Sequence, residues 1–578
     1  MGAIAGLFYP AAPKPVDPAR VIAMAQAMAH RGPDGAGSWA GMGIGLAHRR
    51  SARVDPAASA QPMLTADGRY AIVLDGGLYN GSALRGELAT ADGTMVADGD
   101  AGLLLRCFAE WGPSMLERLD GAFAMAIHDA ATQTLFLARD RMGVKPLHVA
   151  ELPDGALIFA SELKGLLAHP LMRRLPDVRA VEDYLSAGYV PEDACVVAGV
   201  RKLPAGHFML VERGRPMRAP RRWWQARPAA TPRQVAPADT LLLAAMRDAV
   251  RAQATAAVPA GAMLSPDPAD AAVVALMAEA SPHAVRTCTL DIGDGAGTAV
   301  AAVARRFATD HHIGQARPDP LALLPALPLA FDEPCGDPAA VVALCAARHA
   351  HAHMAVALAG SGASELAESG RRHLRPARWR TLMPVFGRRA SRDIDGLWSE
   401  EGRRALSGYR AEDRCADLLR GTDPEGAADR AFELDLATGL PAQVLTRLDR
   451  IGMAEGVELR APWLDHRVVT VIASLPPSRR VRDRRGRTVI ERAMAHHLPA
   501  GVPPRPAGRM LPLDDWFREA LADQLALLPR SHIFNDLGWF DPARIAAVVD
   551  AHRSGRAEHG RRLWQLLMLE RSLTRLFG

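Results

Sequence analysis

Residues 261–270 read Gly261-Ala262-Met263-Leu264-Ser265-Pro266-Asp267-Pro268-Ala269-Asp270, and this stretch decides how the second half of the chain folds. Small and apolar residues form a short buried strand, Ser-Pro-Asp-Pro breaks it, and the alanine-rich run Ala269–Glu279 continues as a helix. Outward from here the alternation repeats. Helix Thr240–Ala256 precedes strand Gly261–Leu264; after Ala269–Glu279 come strand Ala284–Leu290, helix Thr298–Phe307 and strand Met354–Ala359. Strands separated by whole helices predict a parallel sheet with helices on both faces and ligands at the carboxyl ends of the strands. From Ala431 onward the chain is mostly helical and is expected to pack around that sheet.

The first half has a different texture. Ala3–Tyr9, Gly43–Ala47, Arg69–Leu74, Ala122–His128, Thr134–Ala138 and Leu157–Ala160 are strand-like by their β-branched or apolar content and flanking Gly, Pro or Asp. Helical patterns at Pro18–Ala29 and Gly102–Trp111 interrupt them, which predicts a layered α+β domain. Proline- and arginine-rich sequence from Arg213 to Pro237 separates the two textures. The expected division is residues 1–215, a linker at 216–237, and residues 238–578.

A chain of 578 residues is long enough for several domains, each burying its own core. With 49% hydrophobic and 23% charged residues it is neither disordered nor fibrous. A net charge of +5 spread among 64 acidic residues is no nucleic-acid footprint, and the eight arginines of Arg371–Arg392 read as a solvated helical face. The cysteines Cys107, Cys195, Cys288, Cys335, Cys345 and Cys415 show no paired spacing. Without a signal peptide or a membrane-length apolar run, a cytoplasmic protein with neither a membrane nor a nucleic-acid partner is expected. Only four of 69 basic residues are lysines (Lys14, Lys145, Lys164, Lys202), so no chemistry in the last 376 residues can use an ε-amine.

Several phrases carry a resemblance. In the first half they are His30-Arg31-Gly32-Pro33-Asp34, His48-Arg49-Arg50, Ala60-Gln61-Pro62-Met63, Asp75-Gly76-Gly77-Leu78-Tyr79-Asn80, Leu119–Ala124, Leu137–Arg141, Gly143–Leu147 and Phe159–Lys164. In the second half they are Asp310-His311-His312, Asp332-Glu333-Pro334, Leu448-Asp449-Arg450 and Glu458–His466. In this order they resemble the glutamine-hydrolysing asparagine synthetases. The resemblance implies an N-terminal class II amidotransferase domain of the αββα N-terminal-nucleophile fold, followed by a Rossmann-like synthetase domain with a pyrophosphate loop. It also implies two sites joined by a tunnel, one freeing ammonia from glutamine and one activating a carboxylate with ATP and Mg²⁺.

At the ammonia site the resemblance calls for an N-terminal cysteine, freed by removal of Met1, that attacks the amide with its own α-amine as base. Here that position is Gly2, which has no thiol, and it is followed by Ala3. The family's oxyanion-binding asparagine is Asp75, followed by Gly76, and its glutamate that holds the substrate amine is Gly77. A carboxylate at Asp75 opposes developing negative charge. Arg50 and Asp100 stand where the family grips the glutamine carboxylate and amine, so an amino-acid ligand remains chemically conceivable.

At the nucleotide site the family loop is Ser-Gly-Gly-x-Asp-Ser, whose glycine N–H groups point at phosphate. This chain has Leu264-Ser265-Pro266-Asp267-Pro268-Ala269-Asp270, in which two prolines remove N–H donors. Leu290, at the end of the next strand, belongs to the nucleotide site by the resemblance. The family's second segment, Ser-Gly-Asp-Gly-Ala-Asp-Glu, is Ala359-Gly360-Ser361-Gly362-Ala363-Ser364-Glu365, so both metal-binding aspartates are serines. The lysine that follows Arg-Pro is Ala507. No ATP, Mg²⁺ or other cofactor is expected.

Nucleophile, phosphate loop, metal carboxylates and cationic clamp are thus all altered, while the packing motifs persist. The leading expectation is a catalytically degenerate binding or scaffold subunit, partnered by a second copy or an active paralogue. The alternatives are a divergent ATP-dependent amide ligase and an amino-acid sensor. His349 and His353, one helical turn apart with Cys345 a further turn back, form an incomplete zinc set. Trp223 and Trp224 are expected to anchor the linker.

Overall fold

A computed structural model describes residues 2–54, 60–92, 99–226, 238–367, 396–419, 427–480, 488–498 and 511–578. The expected arginine-rich face at Arg371–Arg392, the position of Ala507 and part of the linker lie outside these residues.

The first domain holds β1 (Gly2–Phe8), β2 (Gly35–Gly41), β3 (Ile44–Arg50), β4 (Met63–Leu64), β5 (Tyr70–Leu78), β6 (Gly121–Asp129), β7 (Thr134–Arg139), β8 (His148–Glu151), β9 (Leu157–Ala160), β10 (Val200–Lys202), β11 (His207–Glu212) and β12 (Arg221–Arg222). They form two antiparallel six-stranded sheets in the orders β10-β8-β9-β1-β3-β2 and β12-β11-β7-β6-β5-β4. Side chains alternate between the two faces and both faces are covered at the inner strands, so β1, β6 and β7 read as nearly unbroken apolar runs. Ile4 and Phe8 of β1 meet Ala71 and Val73 of β5 between the sheets. Ala3, Ala5 and Leu7 face the opposite way, onto Val21 and Met24 of the helix Pro18–Gln26. On the second sheet Ile72 and Leu74 face Leu103, Leu104 and Phe108 of the helix Gly99–Trp111. Helix, sheet, sheet and helix therefore stack in four layers, the expected αββα arrangement. β12 continues the second sheet, and beyond it the Trp223 indole donates to the Arg139 carbonyl at 3.3 Å under the Arg141 guanidinium.

The second domain is built on β13 (Ala260–Met263), β14 (Arg286–Asp291), β15 (Asp310–Gln315), β16 (Val356–Leu358) and β17 (Glu458–Arg460). All neighbours are parallel, in the order β15-β14-β13-β16-β17. The chain leaves the central β13 toward β14 and β15, then returns to β16 on the other side. The switch point, where ligands enter such sheets, is the crevice between β13 and β16. The helix Pro268–Ala280 is buried from Pro268 to Met277, as its alanine and valine content requires. Asp267 caps it by accepting the Ala269 N–H at 2.9 Å, and Pro268 fills the first helical position.

The C-terminal helix Gly560–Phe577 does not confine itself to the parallel sheet. Leu563, Trp564 and Leu567 share one apolar cluster with Val181, Tyr184 and Leu185 of the first domain, and the Tyr184 hydroxyl donates to the Gln565 carbonyl at 2.9 Å. The helix Val178–Ala187 is buried continuously from Ala180 to Leu185, Glu182 and Asp183 included, so more than one of its sides is covered. Among the described residues no helix is long and apolar enough to cross a membrane.

Candidate functional site

The first candidate site sits at the start of β1, where Gly2 pairs with Arg50 of β3. The Gly2 nitrogen lies 3.4 Å from Asp75 Oδ1. A Cβ added to Gly2 would stand 1.7 Å from the Arg49 carbonyl oxygen, so the strand has closed over the place where a side chain would begin. His48 Nε2 is 3.3 Å from that same point. Burial pushes the His48 imidazole down to about 3, leaving it neutral. Gly76 holds φ +116°, and a Cβ there would meet the Ala122 oxygen at 2.0 Å, so only glycine fits. Asp100 Oδ2 stands 3.2 Å from the missing Gly77 Cβ and accepts the Leu78 N–H at 2.8 Å. The structure thus brings Gly2, Arg50 and Asp75 together and sets Gly77 beside Asp100.

Asp75 itself is fully buried and committed elsewhere. Its Oδ2 accepts from Arg31 Nη2 at 2.9 Å and from the Ser161 hydroxyl at 3.1 Å. Arg31, also buried, donates to the Gly2 carbonyl at 3.0 Å, to Glu162 at 2.9 Å, and to both Asp449 oxygens at 2.6 and 3.0 Å. Lys145 reaches Asp449 at 3.0 Å, and Arg450 reaches Glu162 at 2.8 Å. Charged groups therefore fill the way from Gly2 to Asp449 and join the two domains. Sequence reading saw Arg31 and Asp449 only as parts of motifs, because each finds its partners hundreds of residues away.

Burial opposes ionisation of Asp449 and Glu162. Arg31 and Lys145 hold the Asp449 carboxyl far below the usual carboxylate range, and Lys164, Arg450 and His30 do the same for Glu162. A depressed acid stabilises the fold above its unfolded value of about 4, and that contribution drains away as pH falls toward the folded value. The stability gap between wild type and Asp449→Asn, measured by urea unfolding, is expected to be constant above about pH 5 and to narrow progressively below about pH 4. A gap that widened on acidification would contradict this assignment.

The second candidate site is the crevice at the switch point. The loop after β13 and the loop after β16 face each other there, and Asp270 bridges them. Its Oδ2 accepts the Ser265 N–H at 3.1 Å and the Ser265 hydroxyl, while Oδ1 accepts the Gly360 N–H. A Cβ on Gly360 would lie 2.6 Å from the Asp270 nitrogen, so the loops are closely apposed. Burial, reinforced by the nearby Asp267, pushes the Asp270 carboxyl up to about 6. Leu264 is the first residue after β13 and Leu290 the last but one of β14, the Leu264 N–H donating to the Cys288 carbonyl at 2.8 Å. In the second loop Ala359 is buried, Ser361 is half-buried, and the Ser364 hydroxyl lies 3.4 Å from Glu365.

The Ser265 and Gly360 N–H groups already serve Asp270, Pro266 and Pro268 have none to offer, and Ser361 and Ser364 bring neutral hydroxyls, which are poorer Mg²⁺ ligands than carboxylates.

A two-sheet αββα domain joined to a parallel sheet with paired loops at its switch point defines a class: an amidotransferase domain fused to a synthetase domain. Residues 1–224 match the glutamine amidotransferase domain family, and residues 241–574 match the asparagine synthase family. The chain belongs to the family of glutamine-hydrolysing asparagine synthetases. A relative from Mycobacterium tuberculosis is 31% identical over 96% of this chain and 94% of its own length. Glutamine-hydrolysing asparagine synthetase 1 of Bacillus subtilis is 24% identical over 94% and 92%. A solved glutamine phosphoribosylpyrophosphate amidotransferase from B. subtilis covers 54% of this chain and 81% of its own at 14% identity and a TM-score of 0.29, a likeness too slight to argue from.

Proposed function

We propose that this member of the family is catalytically degenerate and works as a binding or scaffold subunit, with a second copy of the chain or an active paralogue as its partner. The observation that carries the reading is Asp270, which places a carboxylate between the two loops where the family receives phosphate. Gly2 supports it, since its strand leaves no room for a nucleophilic side chain.

Titration calorimetry tests this. Millimolar Mg·ATP and pyrophosphate are expected to give no saturable heat with wild type near pH 8. Asp270→Ala removes a like charge worth on the order of 1 kcal/mol or more at about 4 Å, and frees the Ser265 and Gly360 N–H groups. It is expected to bind pyrophosphate about fivefold or more tightly than wild type. Saturable Mg·ATP binding by wild type would instead favour a divergent amide ligase. A glutamine-induced rise in melting temperature that Arg50→Ala abolishes would favour an amino-acid sensor.

A further inference from the structure

The sequence pairs His349 and His353 with Cys345, but the fold supplies a different thiol. Cys288, in the middle of β14, brings its Sγ within 4.8 Å of one ring nitrogen each of His349 and His353, and those two nitrogens are also within 4.8 Å of each other. The thiol is fully buried against Ala350 and Met354, while both imidazoles are half-buried above it. His349 lies at the end of the helix Ala339–His351 and His353 in the turn beyond it, so the site joins that helix to the sheet.

The surroundings are arranged around these rings. A Cβ on Gly314 of β15 would lie 2.7 Å from the His349 ring, so glycine there makes the space the imidazole occupies. His349 Nε2 lies 3.3 Å from the His312 carbonyl oxygen. Donation of that N–H leaves Nδ1 with the lone pair, the division of labour usual for metal-bound imidazole. His312 stacks on His353 with ring centroids 3.9 Å apart, and its Nε2 stands 3.3 Å from Asp310. His351 takes no part, because its Nδ1 lies 2.6 Å from the Glu455 carbonyl and its Nε2 3.1 Å from Arg53.

We propose that Cys288, His349 and His353 bind one divalent ion of the zinc class, with a water or His312 in the fourth position. One thiolate with two imidazoles is a borderline-soft donor set, suited to Zn²⁺ or Co²⁺ and unsuited to Mg²⁺. On a tetrahedral zinc such ligand atoms stand about 3.3–3.6 Å apart, so closure around the ion needs side-chain shifts of about 1 Å. The ion would fasten β14 to the end of the helix.

Full-length protein stripped with a chelator and titrated with Co²⁺ tests the site. The expected result is one equivalent bound, with a thiolate-to-cobalt charge-transfer band and the intense visible bands of tetrahedral cobalt, both abolished by added Zn²⁺. Cys288→Ser is expected to remove the charge-transfer band, and His353→Ala to weaken binding by more than about tenfold, whereas His351→Ala changes neither. His353 is only half-buried, whereas Cys288 is fully buried, so its variant keeps the test valid if Cys288→Ser fails to fold. Absence of stoichiometric binding, or a spectrum indifferent to both substitutions, would overturn the proposal.

Discussion

Replacing Asp449 with alanine is expected to cost about 3–5 kcal/mol of folding stability, the largest effect of any single substitution considered for this chain. The reason is what would be left behind. Arg31 and Lys145 both donate to Asp449, and Arg31 is 1% exposed. Without the carboxylate, two buried cations lose their shared counter-ion, and Arg31 is left with Asp75 and with a Glu162 that it shares with Lys164 and Arg450. Since these contacts cross between the domains, urea unfolding followed by both tryptophan fluorescence and far-UV circular dichroism should also lose cooperativity. Replacement of the exposed Asp67, bonded only to its local turn, is expected to change stability by less than about 0.5 kcal/mol. An Asp449→Ala cost as small as that would mean the seam is held by its apolar cluster alone.

The second large expectation is a failure of repair. Gly2→Cys returns the family's nucleophile in name, yet glutamine-dependent ammonia release is expected to stay at the buffer blank. The new Cβ would meet the Arg49 carbonyl, and the oxyanion would face Asp75, which is held in place by Arg31 and Ser161. The variant is also expected to melt earlier, because β1 must shift away from β3 to accept a side chain. Ammonia release well above the blank from the single variant would show that the site is intact apart from one atom.

Much of the architecture was legible in the sequence, for reasons that particular residues illustrate. Gly261–Leu264 is apolar between breakers, and its strand appears one residue earlier, at Ala260–Met263. β15 went unread because Asp310-His311-His312-Ile313-Gly314-Gln315 lies at an edge, with neither face fully buried, and so lacks an apolar period. The three-residue β17 was hidden within the motif Glu458–His466 for want of length. At the sites, sequence placed Asp75 and Asp270 at altered positions but could not say what each carboxylate does there. Their partners, Arg31 and Gly360, come from other elements, and no local spacing announces them. The same limit explains Cys288, whose meeting with His349 and His353 depends on how a helix lies across the sheet.

The most direct test of the account is pyrophosphate release by the purified full-length chain, given Mg·ATP, aspartate, and either glutamine or ammonium. The account predicts no release above a no-enzyme control with either nitrogen source, because Asp270 occupies the phosphate loop regardless of where ammonia comes from. Sustained release with ammonium would contradict it, and would show that this synthetase domain still turns over ATP despite its altered loops.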